Sequence, residues 1–191
     1  KFMKKRVFII HGWGADPEED WFPWLKKELE QKGFEVFVPE MPNTEEPKIE
    51  EWVPFLADLV GEPDENTYFV GHSIGCQTIT RYLEKFDNVK VGGIVFVAGW
   101  FNLVNLETKE EEEIAKPWTE TPINLEKVKN NSKKIVAIFS DNDPVAPLSD
   151  NEIFKKELDA EIIIEHNKGH FNKSDGVIEL PIVLEKILDW N

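Results

Sequence analysis

Residues Tyr68–Gly75 read Y-F-V-G-H-S-I-G, an apolar strand that runs straight into the pentapeptide Gly71-His72-Ser73-Ile74-Gly75. Helix-compatible sequence follows from Cys76 to Phe86. A serine on such a strand-to-helix turn is held in a strained backbone conformation, with its hydroxyl pushed out above the end of a sheet. Glycine is needed at 71 and 75 because a side chain there would collide with the neighbouring strand and helix. Taken alone, G-x-S-x-G also fits a helix N-cap at Ser73. The strand–turn–helix setting is what favours a nucleophile.

A nucleophilic serine on this turn requires an acid and then a histidine further along the chain. Lys134–Phe139 (K-I-V-A-I-F) is a buried-type strand, followed directly by Ser140-Asp141-Asn142-Asp143-Pro144-Val145-Ala146-Pro147. Ala160–Glu165 (A-E-I-I-I-E) is another strand, followed by His166-Asn167-Lys168-Gly169-His170-Phe171. Each candidate thus sits on a loop just past the C-terminal end of a strand, where open α/β sheets place their ligands.

The chemistry needs these residue types. A serine hydroxyl is a poor nucleophile until an imidazole accepts its proton. A carboxylate must hold that imidazole in the right tautomer and stabilise it once charged, a role worth ~10⁴ in turnover. Ser73 is the expected nucleophile and His170 the expected general base and acid. His166 competes, but it follows the strand directly and suits a strand end facing water; Gly169 allows the tight turn that aims His170 inward. Asp143 and Asp141 both qualify as the carboxylate. Two backbone N–H groups should hold the oxyanion, one from Ile74 at the start of the following helix and one from Trp13 in His11-Gly12-Trp13-Gly14. Because the base must be neutral, activity should rise with pH through the histidine range, about 6.5 before perturbation.

Strand and helix signals alternate along the whole chain. Strands are expected at Arg6–Ile10, Glu35–Val38, Thr67–Val70, Gly93–Val97, Lys134–Phe139 and Ala160–Glu165. Helices are expected at Trp21–Lys32, Lys48–Val60, Gly75–Phe86, Leu148–Leu158 and Val177–Trp190. The pattern implies an α/β fold of about six parallel strands with helices on both faces. The rhythm breaks between Trp100 and Lys129, an acidic stretch interrupted by Pro117 and Pro122. Short irregular pieces over the site (residues 100–130) are expected there, with no separate lid domain. Trp100 and Phe101 leave the fourth strand beside the triad, Trp118 follows in the insertion, and Phe171 adjoins the histidine. These four are the expected lining of a narrow apolar pocket, whereas Trp21, Trp24 and Trp52 suit core packing.

The chain resembles the small, capless α/β-hydrolases, and most of all the retinoblastoma-binding protein 9 and YdeN-type serine hydrolase family. The resemblance rests on H-G-W-G after the first strand, Trp21 and Trp24, Met41-Pro42, Trp52, G-H-S-I-G, S-D-N-D-P and K-G-H-F. It implies a minimal α/β-hydrolase fold with a Ser-Asp-His triad, carried over to Ser73, Asp143 and His170. The D-P-V-A-P that begins at Asp143 resembles the acid loop of many such hydrolases, which favours Asp143 over Asp141. The retinoblastoma-binding property does not carry over, because it is associated with L-x-C-x-E and the single cysteine here, Cys76, lies in I-G-C-Q-T.

A chain of 191 residues with 41% hydrophobic and 12% aromatic content suits one domain (residues 1–191) with a sizeable core. Lys1–Arg6 is basic, but only Val7–Ile10 follow as an apolar run before His11 and Gly12, so no secretory signal is expected there. With one cysteine and no internal disulfide, a cytoplasmic location is expected. The formal charge of −15 disfavours nucleic acid and anionic membrane surfaces as partners. Glu107 and Glu110–Glu113 suit a solvated helix start; near a pocket they would also screen out anionic substrates.

Competing classes are weaker. Gly12 and Gly14 mimic the start of a dinucleotide loop, but the next required glycine is Pro17. The four histidines show no metal-ligand spacing such as H-E-x-x-H, so no metal and no cofactor is expected. A dehalogenase would carry aspartate where Ser73 stands. The expected activity is hydrolysis of small or aromatic acyl esters, thioesters or amides, with a small-molecule acyl substrate as partner. The alternative is a catalytically weak protein that keeps the fold as an interaction module. Oligomeric state is left open.

Overall fold

Period-two strands separated by amphipathic helices can bury both sheet faces only if the helices divide between them, and this is the arrangement found. The computed structural model describes residues 3–191; Lys1 and Phe2 lie outside it. The elements run β1 (Arg6–Ile10), α1 (Phe22–Gln31), β2 (Glu35–Phe37), α2 (Ile49–Val60), β3 (Thr67–His72), α3 (Ile74–Leu83) and β4 (Gly93–Val97). They continue with α4 (Lys109–Glu120), α5 (Leu125–Asn130), β5 (Ile135–Ser140), α6 (Asn151–Leu158), β6 (Glu161–Glu165) and α7 (Pro181–Asp189). Six strands form one sheet in the order β2-β1-β3-β4-β5-β6, and every pairing is parallel. This is the minimal α/β-hydrolase architecture expected from the sequence.

Alternate strand residues feed two cores. Phe8, Ile10, Phe69, Ile94 and Phe96 pack with Trp52, Leu56, Ile79, Val128 and Phe154 from α2, α3, α5 and α6. Val7, Ile9, Val70, Val95 and Val97 pack with Phe22, Leu25, Leu29, Val183 and Ile187 from α1 and α7 on the other face. In α1 the buried residues Phe22, Leu25 and Leu29 recur at helical spacing, and burying each stabilises the fold by about 1.5–3 kcal/mol. No helix among the described residues is long and apolar enough to cross a membrane.

The main departure from expectation lies after β4. The stretch read as irregular contains a twelve-residue helix, α4, besides the short α5. Thr108 caps α4 through a reciprocal pair with Glu111, and Glu110–Glu112 occupy the first turn, where carboxylates favour the positive end of the helix dipole. Pro117 falls in the last turn, so its missing N–H removes one bond at an exposed position. The last helix begins at Pro181 rather than Val177, with proline at the first helical position, where its lost N–H has no intrahelical partner anyway.

Candidate active site

The turn between β3 and α3 is as tight as its glycines allow. Ser73 adopts φ 55° and ψ −120°, a conformation few side-chain-bearing residues take without support. Gly75 supplies part of that support: a Cβ there would strike the Ile10 carbonyl of β1, so only glycine lets α3 lie against the sheet. Ile74 is the first residue of α3. Its N–H therefore has no intrahelical acceptor and sits at the positive end of the helix dipole.

Three strand ends bring the expected triad together. Ser73 Oγ lies 2.9 Å from His170 Nε2, and His170 Nδ1 lies 2.8 Å from Asp143 Oδ2. The other Asp143 oxygen accepts from the amides of Val145 at 3.0 Å and Ala146 at 2.9 Å. That carboxylate is 3% exposed and the imidazole 13%, so their bond is shielded from water. The competing residues pair with each other at the surface: His166 Nδ1 lies 2.6 Å from Asp141 Oδ2. Asp141 is held below the usual carboxylate range, first by the Asn167 N–H and then by His166.

Several supporting residues carried no sequence signal of their own. The backbone of His170 is clamped at both ends, its N–H donating to Asp175 Oδ2 at 2.9 Å and its carbonyl accepting from His72 Nε2 at 2.7 Å. Asn142 and Ser140 tie the acid loop to the histidine loop through the amides of Gly169 and Lys168. Because the His170 carbonyl can only accept, His72 carries its proton on Nε2. Its buried Nδ1 is then without a hydrogen-bond partner among the described residues, 3.9 Å from Asp20 Oδ2. Burial first, and the neighbouring His170 second, lower the His72 imidazole to about 3. Burial also pushes the Asp20 carboxyl up. His11 is neutral by its bonding pattern, since Nδ1 donates to the Gly12 carbonyl at 2.8 Å and Nε2 accepts from the Met41 amide at 3.0 Å. It thereby joins the loop after β1 to the Met41-Pro42 turn.

The insertion is held from beneath by polar groups that look like surface residues in the sequence. Gln77 Nε2 donates to the Trp100 carbonyl at 2.9 Å, and its amide oxygen accepts from Arg81 Nε at 3.1 Å. Arg81 Nη2 donates to the carbonyls of Trp118 at 2.8 Å and Thr121 at 2.9 Å. Asp150, 3% exposed, accepts from the amides of Phe101 and Asn102, fixing the chain as it leaves β4.

A cavity of about 390 Å³ opens over Ser73 and His170, walled by Trp13, Ile74, Trp100, Leu103, Leu106 and Val145, with Asn105, Glu107 and Glu111 at its acidic side. Of the four aromatic residues expected to line it, Trp100 does so, whereas Phe101, Trp118 and Phe171 are not among the lining residues. Phe101 packs against Phe154 as a tilted pair, with ring centroids 4.8 Å apart. Trp118 turns under α4 to meet Trp52 and donates to the Pro47 carbonyl at 3.0 Å. Phe171 is fully buried in the core of the α1 and α7 face. Trp100 and Trp13 reach the cavity because the strand ends that carry them open onto it; Trp118 and Phe171 bury their rings in the core, and the half-buried Phe101 packs against its edge.

Comparison with known proteins bears on the family and the fold. Residues 7–189 match the family model described as serine hydrolase. The chain is 34% identical over 190 residues to YdeN of Bacillus subtilis, covering 98% of this chain and 97% of that one. It is 28% identical over 173 residues to the serine hydrolase RBBP9 of Rattus norvegicus, covering 90% and 89% of the two chains. The crystal structure of the B. subtilis ydeN product superposes with a TM-score of 0.89 at 32% identity, covering 98% of each chain. Est1E of Butyrivibrio proteoclasticus, solved with ferulic acid bound, shares the fold at a TM-score of 0.72 and 14% identity over 96% of this chain and 89% of that one.

Proposed function

Because this chain belongs to the serine hydrolase family, we infer that Ser73, His170 and Asp143 form its catalytic triad and carry out acyl transfer to water. The observation that carries this reading is the continuous Ser73–His170–Asp143 hydrogen-bond chain at the floor of an open cavity. His170 Nε2 takes the Ser73 proton as Oγ attacks the acyl carbon. The same proton then passes to the leaving group, and a water molecule repeats the sequence to free the acid. Asp143 holds Nδ1–H and stabilises the imidazolium. The amides of Ile74 and Trp13 are assigned to the oxyanion, where one such donor is worth about 3–4 kcal/mol in the transition state.

The walls support a reading of the substrate class. Trp13, Trp100, Leu103, Leu106 and Val145 favour small or aromatic acyl groups of esters, thioesters or amides, and the limited volume disfavours long lipid chains. Glu107 and Glu111 at the cavity, on a chain of net charge −15, disfavour anionic substrates. Small neutral or cationic acyl compounds are the partners this site suits.

A fluorophosphonate probe and a p-nitrophenyl ester series test the reading. Wild type is expected to gain one adduct by intact mass and Ser73→Ala none, with turnover highest for acetyl to phenylacetyl esters and falling for long acyl chains, which outgrow a cavity of about 390 Å³. Well-folded wild type that takes up no probe would leave the interaction-module reading as the better one. Fastest turnover of long chains would reject the pocket.

A further inference from the structure

The nucleophile makes a second contact that the triad does not require. Trp100 follows the end of β4, and its indole Nε1 lies 3.1 Å from Ser73 Oγ. An indole N–H can only donate, so Oγ is the acceptor there. With that lone pair occupied, the hydroxyl hydrogen has His170 Nε2, at 2.9 Å, as its acceptor. The proton map of the site is then fixed from Trp100 through Ser73 and His170 to Asp143.

Trp100 is built in rather than lying against the site by chance. It is 1% exposed. Its carbonyl accepts from Gln77 Nε2, and the two amides that follow it donate to the buried carboxylate of Asp150. A buried indole N–H needs an acceptor. Here that acceptor is the reacting oxygen.

We propose that Trp100 is a catalytic residue whose indole N–H stabilises negative charge on Ser73 Oγ, most of all when Oγ departs as the leaving group of deacylation. This rests on the assignment of Ser73 as nucleophile. In acylation the Oγ–H proton moves to Nε2 while an Oγ lone pair forms the bond to the acyl carbon. The indole already donates to the neutral hydroxyl, so the added stabilisation is small. In the acyl-enzyme Oγ is an ester oxygen, its lone pair delocalised toward the carbonyl, and it accepts weakly. Water then adds to the acyl carbon and gives its proton to Nε2. When the tetrahedral intermediate collapses, the C–Oγ bond breaks, its electron pair stays on Oγ, and the proton on His170 moves to Oγ. The indole bond strengthens across that step. An interaction stronger in the transition state than in the ground state accelerates a reaction; one equal in both does not.

Trp100→Phe keeps the ring and removes the donor. With p-nitrophenyl acetate, the burst of p-nitrophenolate should slow less than about tenfold. Steady-state turnover should fall on the order of 10- to 100-fold, below the ~10²–10³ of an oxyanion-hole donor. Acyl-enzyme should accumulate by intact mass, and KM should fall together with kcat. An independent readout uses the indole ¹H–¹⁵N signals of the seven tryptophans. The Trp100 signal, assigned through its own backbone in wild type, should move in Ser73→Ala while the other six stay in place. That measurement needs no folded Trp100 variant. Equal slowing of burst and steady state, deacylation within twofold of wild type, or an unmoved Trp100 signal would overturn the proposal. Wild type that never acylates would overturn the nucleophile assignment and this proposal together, whereas normal acylation with any of those three results overturns this proposal alone.

Discussion

Asp141 and Asp143 have the same chemistry and sit on the same loop; they differ in what faces them. Asp143 accepts two backbone N–H bonds and the His170 proton in a shielded place, whereas Asp141 pairs with His166, whose side chain is 78% exposed. Replacing Asp143 by Asn keeps an oxygen for the Val145 and Ala146 amides and turns an NH2 donor toward His170 Nδ1. Nδ1 then cannot carry its proton, and turnover should fall by ~10⁴. Asp141→Asn removes only a solvent-exposed pair, and turnover should stay within about twofold. Initial rates on one p-nitrophenyl ester compare the two, and the reverse ranking would reassign the acid. The position of each loop at a strand end was legible in the sequence because strand patterns and polar loop residues are local. Which of two neighbouring aspartates turns inward is set by loop geometry, and residue spacing does not encode it. The same limit explains the aromatic residues: Trp100 and Phe171 both follow strands, yet one meets Ser73 and the other the core.

At the scale of elements, α3 shows what a sequence pattern conceals. Gln77, Thr80 and Arg81 look like the solvent face of an amphipathic helix, but all ten residues of α3 are buried. The covering piece is the 100–130 stretch, where Glu107 and Glu110–Glu113 marked a helix start but Pro117 and Pro122 hid how far the helix runs. Arg81 is the pin between the two: its guanidinium satisfies the carbonyls of Trp118 and Thr121 and the Gln77 amide oxygen. Arg81→Met keeps the apolar stem and leaves three acceptors without their donor. With each unsatisfied buried group costing about 1–3 kcal/mol, and some finding water, a loss of about 3 kcal/mol in urea unfolding is expected, with faster amide exchange in α4. A loss under about 1 kcal/mol would mean that apolar packing of Trp118 holds the insertion.

For the whole molecule, parallel strands with helices on both faces followed from alternation alone. The order β2-β1-β3-β4-β5-β6 did not, because alternation gives the direction of each strand and not its neighbour. The response of that assembled sheet to acid turns on groups it buries. His72 at the end of β3 has its imidazole lowered from 6.5 to about 3 by burial and by His170. It is neutral in the fold, while the unfolded chain takes up a proton below pH 6.5. The stability this contributes is therefore whole above 6.5 and drains as pH falls toward 3, by about 2 kcal/mol at pH 5. Burial lowers His11 in the same sense. Two effects oppose them. The Asp20 carboxyl is raised by burial, so its protonation in the fold recovers stability as pH falls. A chain with 37 acidic and 22 basic residues also loses self-repulsion as carboxylates titrate. The histidine contribution is isolated by His72→Gln, which keeps an N–H for the His170 carbonyl and has nothing to titrate. Between pH 7 and pH 5 the wild type should lose about 1–2 kcal/mol more than this variant in urea unfolding. An equal loss in both would mean that His72 takes no part in acid unfolding, and the strain of acid would then fall on His11 and the carboxylates.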